Sequence, residues 1–306
     1  MSTLLSVILC THNPKAEVFE RTLAALRDQR LDPQLWELIV IDSGSTPAVG
    51  SLAGAMSNWR IVREDEPGLT RARLKGFEEA KGAIIVLVDD DNVLDADYLG
   101  NGLRLFCEDD GLGVAGASIC GEYEMELPRW LERELVYLAI RSVEEVSVDD
   151  VDSLVVTPAG AGMILRARVA RHYGALVNEH TMRKQLDRSG SSLVSAGDTD
   201  LALCARDLGL KIGHFPCLKL IHLIGKGRMS VEYMERLHEG LAYSGTILSF
   251  IRSSRIPDVR KNWLLRLRAW IRYFIRLDSY QRCFHQAQLR GVQRAQLEIK
   301  KFRANQ

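Results

Sequence analysis

Apolar and polar positions alternate between two periods along the first half of the chain. Residues 4–10 form a nearly continuous apolar run, and residues 18–27 repeat their apolar positions at three- and four-residue spacing. The same exchange recurs. Residues 35–41 (LWELIVI) read as a second strand ending at Asp42, and residues 60–63 as a short third. Pro67-Gly68 opens a helix over 69–80, and residues 83–88 are a fourth strand. A helix over 97–106 and a strand over 113–120 follow. Strands exchanging with helices predict an α/β fold, Rossmann-like, with a mostly parallel sheet flanked by helices. Such sheets bind ligands beyond the carboxyl ends of their strands, where Thr11, Asp42 and Asp89 fall.

The rhythm breaks after residue 122. Residues 127–143 (LPRWLERELVYLAIRSV) have the spacing of an amphipathic helix entered through Pro128, and an acidic connector over 149–152 follows. Residues 159–169 (AGAGMILRARV) are rich in small residues and then strand-like. A helix is expected over 198–208 and an extended segment over 213–223. Beyond Gly225 the chain turns helical and basic. We therefore expect an α/β domain over 1–225 and a basic helical extension over 226–306.

The densest chemistry lies at AIIVLVDDDN, residues 83–92. A buried strand that ends in Asp89, Asp90 and Asp91 sets three like charges side by side, and each raises the pKa of the others. A divalent cation relieves that repulsion. Hard oxygen donors without Cys or paired His favour Mg²⁺ or Mn²⁺, usually sharing its shell with substrate phosphates. The other reading is a solvated acidic loop.

Composition changes this picture little. The 306 residues carry 40 basic and 40 acidic side chains, so the formal net charge is zero. Charge is unevenly placed: residues 252–303 hold fourteen Lys or Arg against three acids. Six scattered cysteines without a CxxC spacing are expected as reduced thiols in a cytoplasmic protein. No signal-type leader and no apolar run long enough to span a bilayer is evident.

Several ordered motifs resemble the inverting family 2 glycosyltransferases, which have a GT-A fold. They are Thr11-His12-Asn13, IVIDSGST at 39–46, EPGLTRARLKG at 66–76, VDDDN at 88–92, AGAGMILRARV, Gly197-Asp198-Thr199-Asp200-Leu201, and IHLIGKGR at 221–228. The resemblance spans roughly residues 4–240 and implies that the domain over 1–225 is a GT-A nucleotide-sugar-binding catalytic domain. It departs at Leu74, where the family has Asn, and at Gly197, where it has Glu.

The resemblance implies a metal-dependent transfer of a sugar from a nucleoside-diphosphate donor (UDP, GDP or dTDP type) to a hydroxyl of a glycan, polysaccharide or lipid-linked saccharide, as in envelope polysaccharide synthesis. Asp198 is then the general base, with Asp200 as substitute, although both also suit the first turn of a helix. Asp42 contacts the nucleobase or caps a turn. Thr11, with Asn13, lies beside base and ribose or caps a helix. Arg73 faces base or diphosphate, with Arg71 as competitor. Asp89 contacts the ribose, Asp90 faces a neighbouring loop within the substrate-binding set, and Asp91 ligates the metal. His222 completes the metal shell or is structural. Lys226 and Arg228 clamp phosphate or form a solvated loop. Trp130 lines an acceptor cleft or joins the core, and Gly160 and Gly162 allow close approach to acceptor or sugar.

Residues 262–277 (NWLLRLRAWIRYFIRL) place Trp263, Leu267, Trp270, Phe274 and Leu277 on one helical stripe and Arg268, Arg272 and Arg276 on another. Such a helix attaches peripherally to an anionic membrane, here the inner face of the plasma membrane, or packs on the protein. No nucleic-acid motif is present. Two alternatives remain: a sugar-nucleotide pyrophosphorylase, opposed by Thr11-His12-Asn13-Pro14 where that class needs a Gly-rich loop, and a transferase-like binding protein without a base. The absence of GxGxxG after the first strand argues against an NAD-binding fold.

Overall fold

A computed structural model of the chain describes residues 3–50, 56–149, 157–188, 190, 192–254 and 278–304. The amphipathic stretch 262–277 lies outside the described residues.

Four strands form the parallel half of one sheet: β1 (Leu5–Thr11), β2 (Trp36–Ser43), β3 (Trp59–Glu64) and β4 (Ile84–Asp89), in the order β3-β2-β1-β4. All eight residues of β2 are buried, which is why it reads as a continuous apolar run and not an alternating one. Register sets the chemistry: Thr11 pairs with Asp42 and Cys10 with Asp89, so three strand ends finish at one edge. Helices α1 (Ala16–Arg27), α2 (Leu69–Glu79) and α3 (Tyr98–Glu108) bury apolar faces against the sheet.

Beyond β4 the sheet is mixed. The strands are β5 (Asn92–Leu94), β6 (Leu112–Tyr123), β7 (Ser147–Asp149), β8 (Ile164–Arg166) and β9 (Lys211–Ile224). β8 runs antiparallel between β4 and β6, and β9 runs parallel to β6. β5 runs antiparallel to β9 and places Asn92 opposite His222.

Two segments differ from expectation. Residues 127–143 are not an α-helix: only a 3₁₀ stretch, Glu132–Leu138, forms, and Ala139 ends it at φ 62°. Leu131 and Leu138 are claimed by a core with Ile224, Met234, Leu237 and Phe284. Just beyond, Arg141 bridges Ile119 in extended conformation, which stops the helix. The strand expected through residue 169 ends at Arg166, where α4 (Ala167–Glu179) begins. Its buried Val169, Ala170, Tyr173 and Val177 have helical spacing.

α5 (Gly197–Asp207) precedes β9, and α6 (Val231–Ser253) and α7 (Ser279–Ala304) pack together afterwards. Tyr243 and Ile247 of α6 share a core with Met182, Leu186, Val194 and Ala196, so these helices are built into the protein. Arg290 and Arg294 of α7 pair with Glu235 and Glu239 of α6. Trp130 lines neither described cavity: it stacks on Tyr280 at 5.3 Å and tilts on Phe284 at 5.9 Å, which docks α7.

Candidate active site

A cavity of about 580 Å³ opens at the strand-end edge. Thr11, Arg73, Asp89, Asp90, Asp91, Asp198, His222 and Arg228 all line it. Arg228 and Tyr233, from beyond residue 225, line it too, so the expected boundary does not divide the site.

The acidic run forms its floor. Thr11 Oγ1 donates to Asp90 Oδ2 at 2.5 Å. Burial, then the charge of Asp91, pushes the Asp90 carboxyl up to about 6. The same two causes raise Asp89. Asp91 goes the other way. Burial opposes its charge, but the charges of Arg228 and Arg188 hold the carboxyl below its usual range. Arg228 Nη2 lies 2.8 Å from Asp91 Oδ2, and His222 Nε2 lies 3.3 Å from Oδ1. His222 Nδ1 stands 3.0 Å from the Leu138 carbonyl, which only accepts, so the proton belongs on Nδ1. Nε2 then accepts from Arg228 Nη1 at 3.0 Å. A His held in this tautomer by a backbone carbonyl presents a ligating lone pair.

Asp91 and His222 offer donors for a divalent cation, and Arg228, which pairs with both, would have to turn away to admit it. Their atoms do not form a closed protein cage. That matches Mg²⁺-type sites that draw the rest of their shell from phosphates and water. Among the described residues, His172, Cys204 and Asp207 hold ligand atoms within 4.8 Å of one another. Arg252 already occupies that place, donating to both Asp207 oxygens at 2.9 and 3.0 Å and to Cys204 Sγ at 3.6 Å. Burial also pushes the Cys204 thiol up to about 12, which disfavours a thiolate ligand.

Asp198 stands in the first turn of α5. Its Oδ2 accepts from the Gly160 N–H at 2.9 Å, and its Oδ1 pairs with Arg73. Arg73 is 2 % exposed and also reaches Asp187 at 3.5 Å. Arg71 instead pairs with Glu66 in solvent, so of these two arginines it is Arg73 that lines the cavity. A side chain on Gly160 would strike the Arg73–Asp198 pair, so glycine here serves the pair directly. Asp200 is not available as a substitute base: it is fully buried and paired with Arg183 and Arg252.

Three expected contacts fall outside the cavity. Asp42 is 1 % exposed, and its carboxylate accepts from Ser45 N at 3.1 Å, Val49 N at 2.9 Å and Arg63 at 2.6 Å. With its oxygens engaged, it organises the loop beyond Ser43, which does line the cavity. Asn13 latches the β1 and β2 ends, accepting from Thr46 N at 2.8 Å. Lys226 is exposed, and its backbone N–H donates to Glu124.

Arg188, Asp187, Tyr137 and Tyr233 were not anticipated. Arg188 lines the cavity, and its charge helps lower Asp91. Asp187 accepts from Thr70 Oγ1 at 2.9 Å and keeps Oδ1 without a hydrogen-bond partner. Nothing in the local pattern around QLDRSG marks either residue.

The sequence model for Glycosyl transferase family 2 matches residues 6–169, more than half of the chain. The chain belongs to this family. The glycosyltransferase is 27% identical over 248 residues to "Glycosyltransferase AglE" of Haloferax volcanii, covering 76% of this chain and 75% of that protein. It is 31% identical over 105 residues to "Putative glycosyltransferase EpsH" of Bacillus subtilis, or 33% of this chain and 29% of that one. Its fold is similar to that of S. aureus TarS, with a TM-score of 0.53 at 14% identity over 96% of this chain and 54% of that one. TarS 1-349 in complex with UDP-GlcNAc gives a TM-score of 0.50 at 14% identity, covering 99% of this chain and 93% of that one. Among the described residues no helix is long and apolar enough to cross a membrane.

Proposed function

We propose that this glycosyltransferase transfers a sugar from a nucleoside-diphosphate donor to an acceptor hydroxyl with inversion, with Asp198 as general base. The observation carrying this is that Asp198 and the Asp89–Asp91 run, over a hundred residues apart, line one cavity. The donor diphosphate lies against Arg228 and Arg188, whose charges meet the negative charge that builds on the leaving group. Asp198, oriented by Arg73 and Gly160, accepts the acceptor hydroxyl proton as that oxygen bonds to the anomeric carbon and the bond to phosphate breaks. A divalent metal, Mn²⁺ or Mg²⁺, bound at Asp91 and His222 supplies Lewis-acid stabilisation of the diphosphate. Residues 1–225 supply most of this site and the extension closes it. The TarS complex with UDP-GlcNAc makes uridine donors the first to try.

The test is a thermal-shift and calorimetric screen of UDP, GDP, dTDP and CDP, each with Mn²⁺, Mg²⁺ or EDTA. Metal-dependent stabilisation by one nucleotide, lost in Asp91→Ala, is expected. No stabilisation by any nucleotide would overturn the donor site. The anomeric configuration of the product, read by NMR, decides inversion.

A further inference from the structure

Asp198 also borders a second, smaller cavity of about 200 Å³. It joins the larger one through Tyr137, Ala139, Ala159, Ser195 and Asp198, which line both. Its inner wall carries Arg141 and His214, and no function has so far been given to either.

Arg141, like Arg188 of the larger cavity, has no ion pair among the described residues, whereas the neighbouring buried arginines do. Arg73, Arg183, Arg228 and Arg252 each face at least one carboxylate. Arg141 makes no ion pair with any described residue. Its Nη1 donates to the Thr157 carbonyl at 3.2 Å and lies 3.4 Å from His214 Nε2, both neutral acceptors. The other guanidinium N–H groups have no described partner, and a guanidinium carries five in a fixed fork. Burial lowers the Arg141 pKa, as expected for a charge without a counter-ion. His214 is pushed the same way, by burial and then by Arg141, with Asp149 pulling against them. The backbone fixes this cation in place: Arg141 and Ile119 exchange hydrogen bonds of 2.8 and 3.0 Å. A guanidinium half-buried in a cavity, with no carboxylate against it among the described residues, presents its remaining N–H groups to an anion.

We propose that this cavity is an acceptor subsite for a saccharide or polyol bearing an anionic group, phosphate or carboxylate, next to the hydroxyl that reacts. Arg141 binds the anion while Asp198, on the shared rim, receives the hydroxyl. Thr199 and Ser195 line the space between and offer hydroxyls to the rest of the acceptor. The assignment of the hydroxyl rests on Asp198 as base. The anion site itself does not.

The experiment measures binding of inorganic phosphate, glucose 1-phosphate, glucuronate and methyl glucoside to the intact chain by calorimetry. Wild type, Arg141→Gln, Arg141→Lys and Arg228→Gln are compared. Because Arg228 and Arg188 offer phosphate contacts in the larger cavity, the deciding comparison is made in the Arg228→Gln background: anionic probes are expected to bind it, to lose at least tenfold affinity when Arg141→Gln is added, and to recover in part when Arg141→Lys is added instead. Methyl glucoside should not distinguish the variants. Arg141→Gln removes an unpaired charge, so its melting temperature should not fall. If it does, Arg141→Lys carries the comparison through its altered preference between phosphate and carboxylate. Phosphate against carboxylate affinity names which anion is preferred. Anion binding lost in Arg228→Gln but kept in Arg141→Gln would place the anion in the larger cavity and overturn the proposal, as would equal binding of neutral and anionic probes. Failure of the nucleotide screen would instead overturn the donor site and leave this result standing.

Discussion

The carboxylate of Asp187 occupies the place that a side chain on Gly197 would take. Asp187 and Asp198 both pair with Arg73, so a single buried guanidinium ties the loop before α5 to its first turn. Gly197 is thus no simple loss of an acidic residue ahead of Asp198. An acid from ten residues earlier fills the same space.

Gly197→Ala should therefore destabilise the protein by about 1–3 kcal/mol, the usual cost of overpacking. Asp187→Ala should cost about 1–3 kcal/mol, because it leaves the buried Thr70 hydroxyl without its acceptor while Arg73 keeps Asp198. Chemical denaturation measures both. A neutral effect of Gly197→Ala would mean that Asp187 can move aside.

Asp198→Asn keeps the size of the side chain and its acceptor for the Gly160 N–H, but removes the proton acceptor. Turnover should fall by about 10²–10⁴, the range for loss of a general base. Nucleotide-dependent stabilisation should persist, because the donor lies against other residues. Steady-state kinetics beside a thermal-shift assay separate the two.

Asp90 gives a pH signature. Its carboxyl rises from 3.8 to about 6 on folding, so the folded state binds the extra proton. This contribution favours the folded state fully below pH about 4 and is lost as pH rises through about 6. Asp90→Asn should accordingly stabilise the metal-free protein at pH 7 by up to about 3 kcal/mol and have little effect near pH 4. Melting temperatures in EDTA across that range test it.

Trp130→Ala should lower stability by about 1–2 kcal/mol by deleting two ring contacts to α7. It should leave the KM for acceptor unchanged, since Trp130 is away from both cavities. A raised KM with unchanged stability would return Trp130 to an acceptor role.

Much of this protein was legible before any tertiary information. The runs that became β1, β2 and β4 are buried on both faces, and such strands declare themselves by unbroken hydrophobicity. Their ends locate Thr11 and Asp89–Asp91 without knowledge of a neighbour. Asp198 was singled out by the resemblance of residues 197–201 to the family's motif, while the helix start that the same residues suggest is where it stands. The segment 127–143 misled for the complementary reason: its spacing suits a helix, but Leu131 and Leu138 pack on residues almost a hundred positions later, and Arg141 is drawn into a bridge with Ile119.

Local pattern alone determined the parallel half of the sheet, its helices and the edge where the chemistry sits, because backbone period and burial act over a few residues. Only the tertiary structure decided which polar groups meet there. It brought His222 to Asp91 through the pairing of β5 with β9, gave Arg73 two carboxylates, engaged Asp42 with its own loop, and left Arg141 without a counter-charge among the described residues. Charge pairing acts through space between residues that the chain keeps far apart, and no short window of sequence records it.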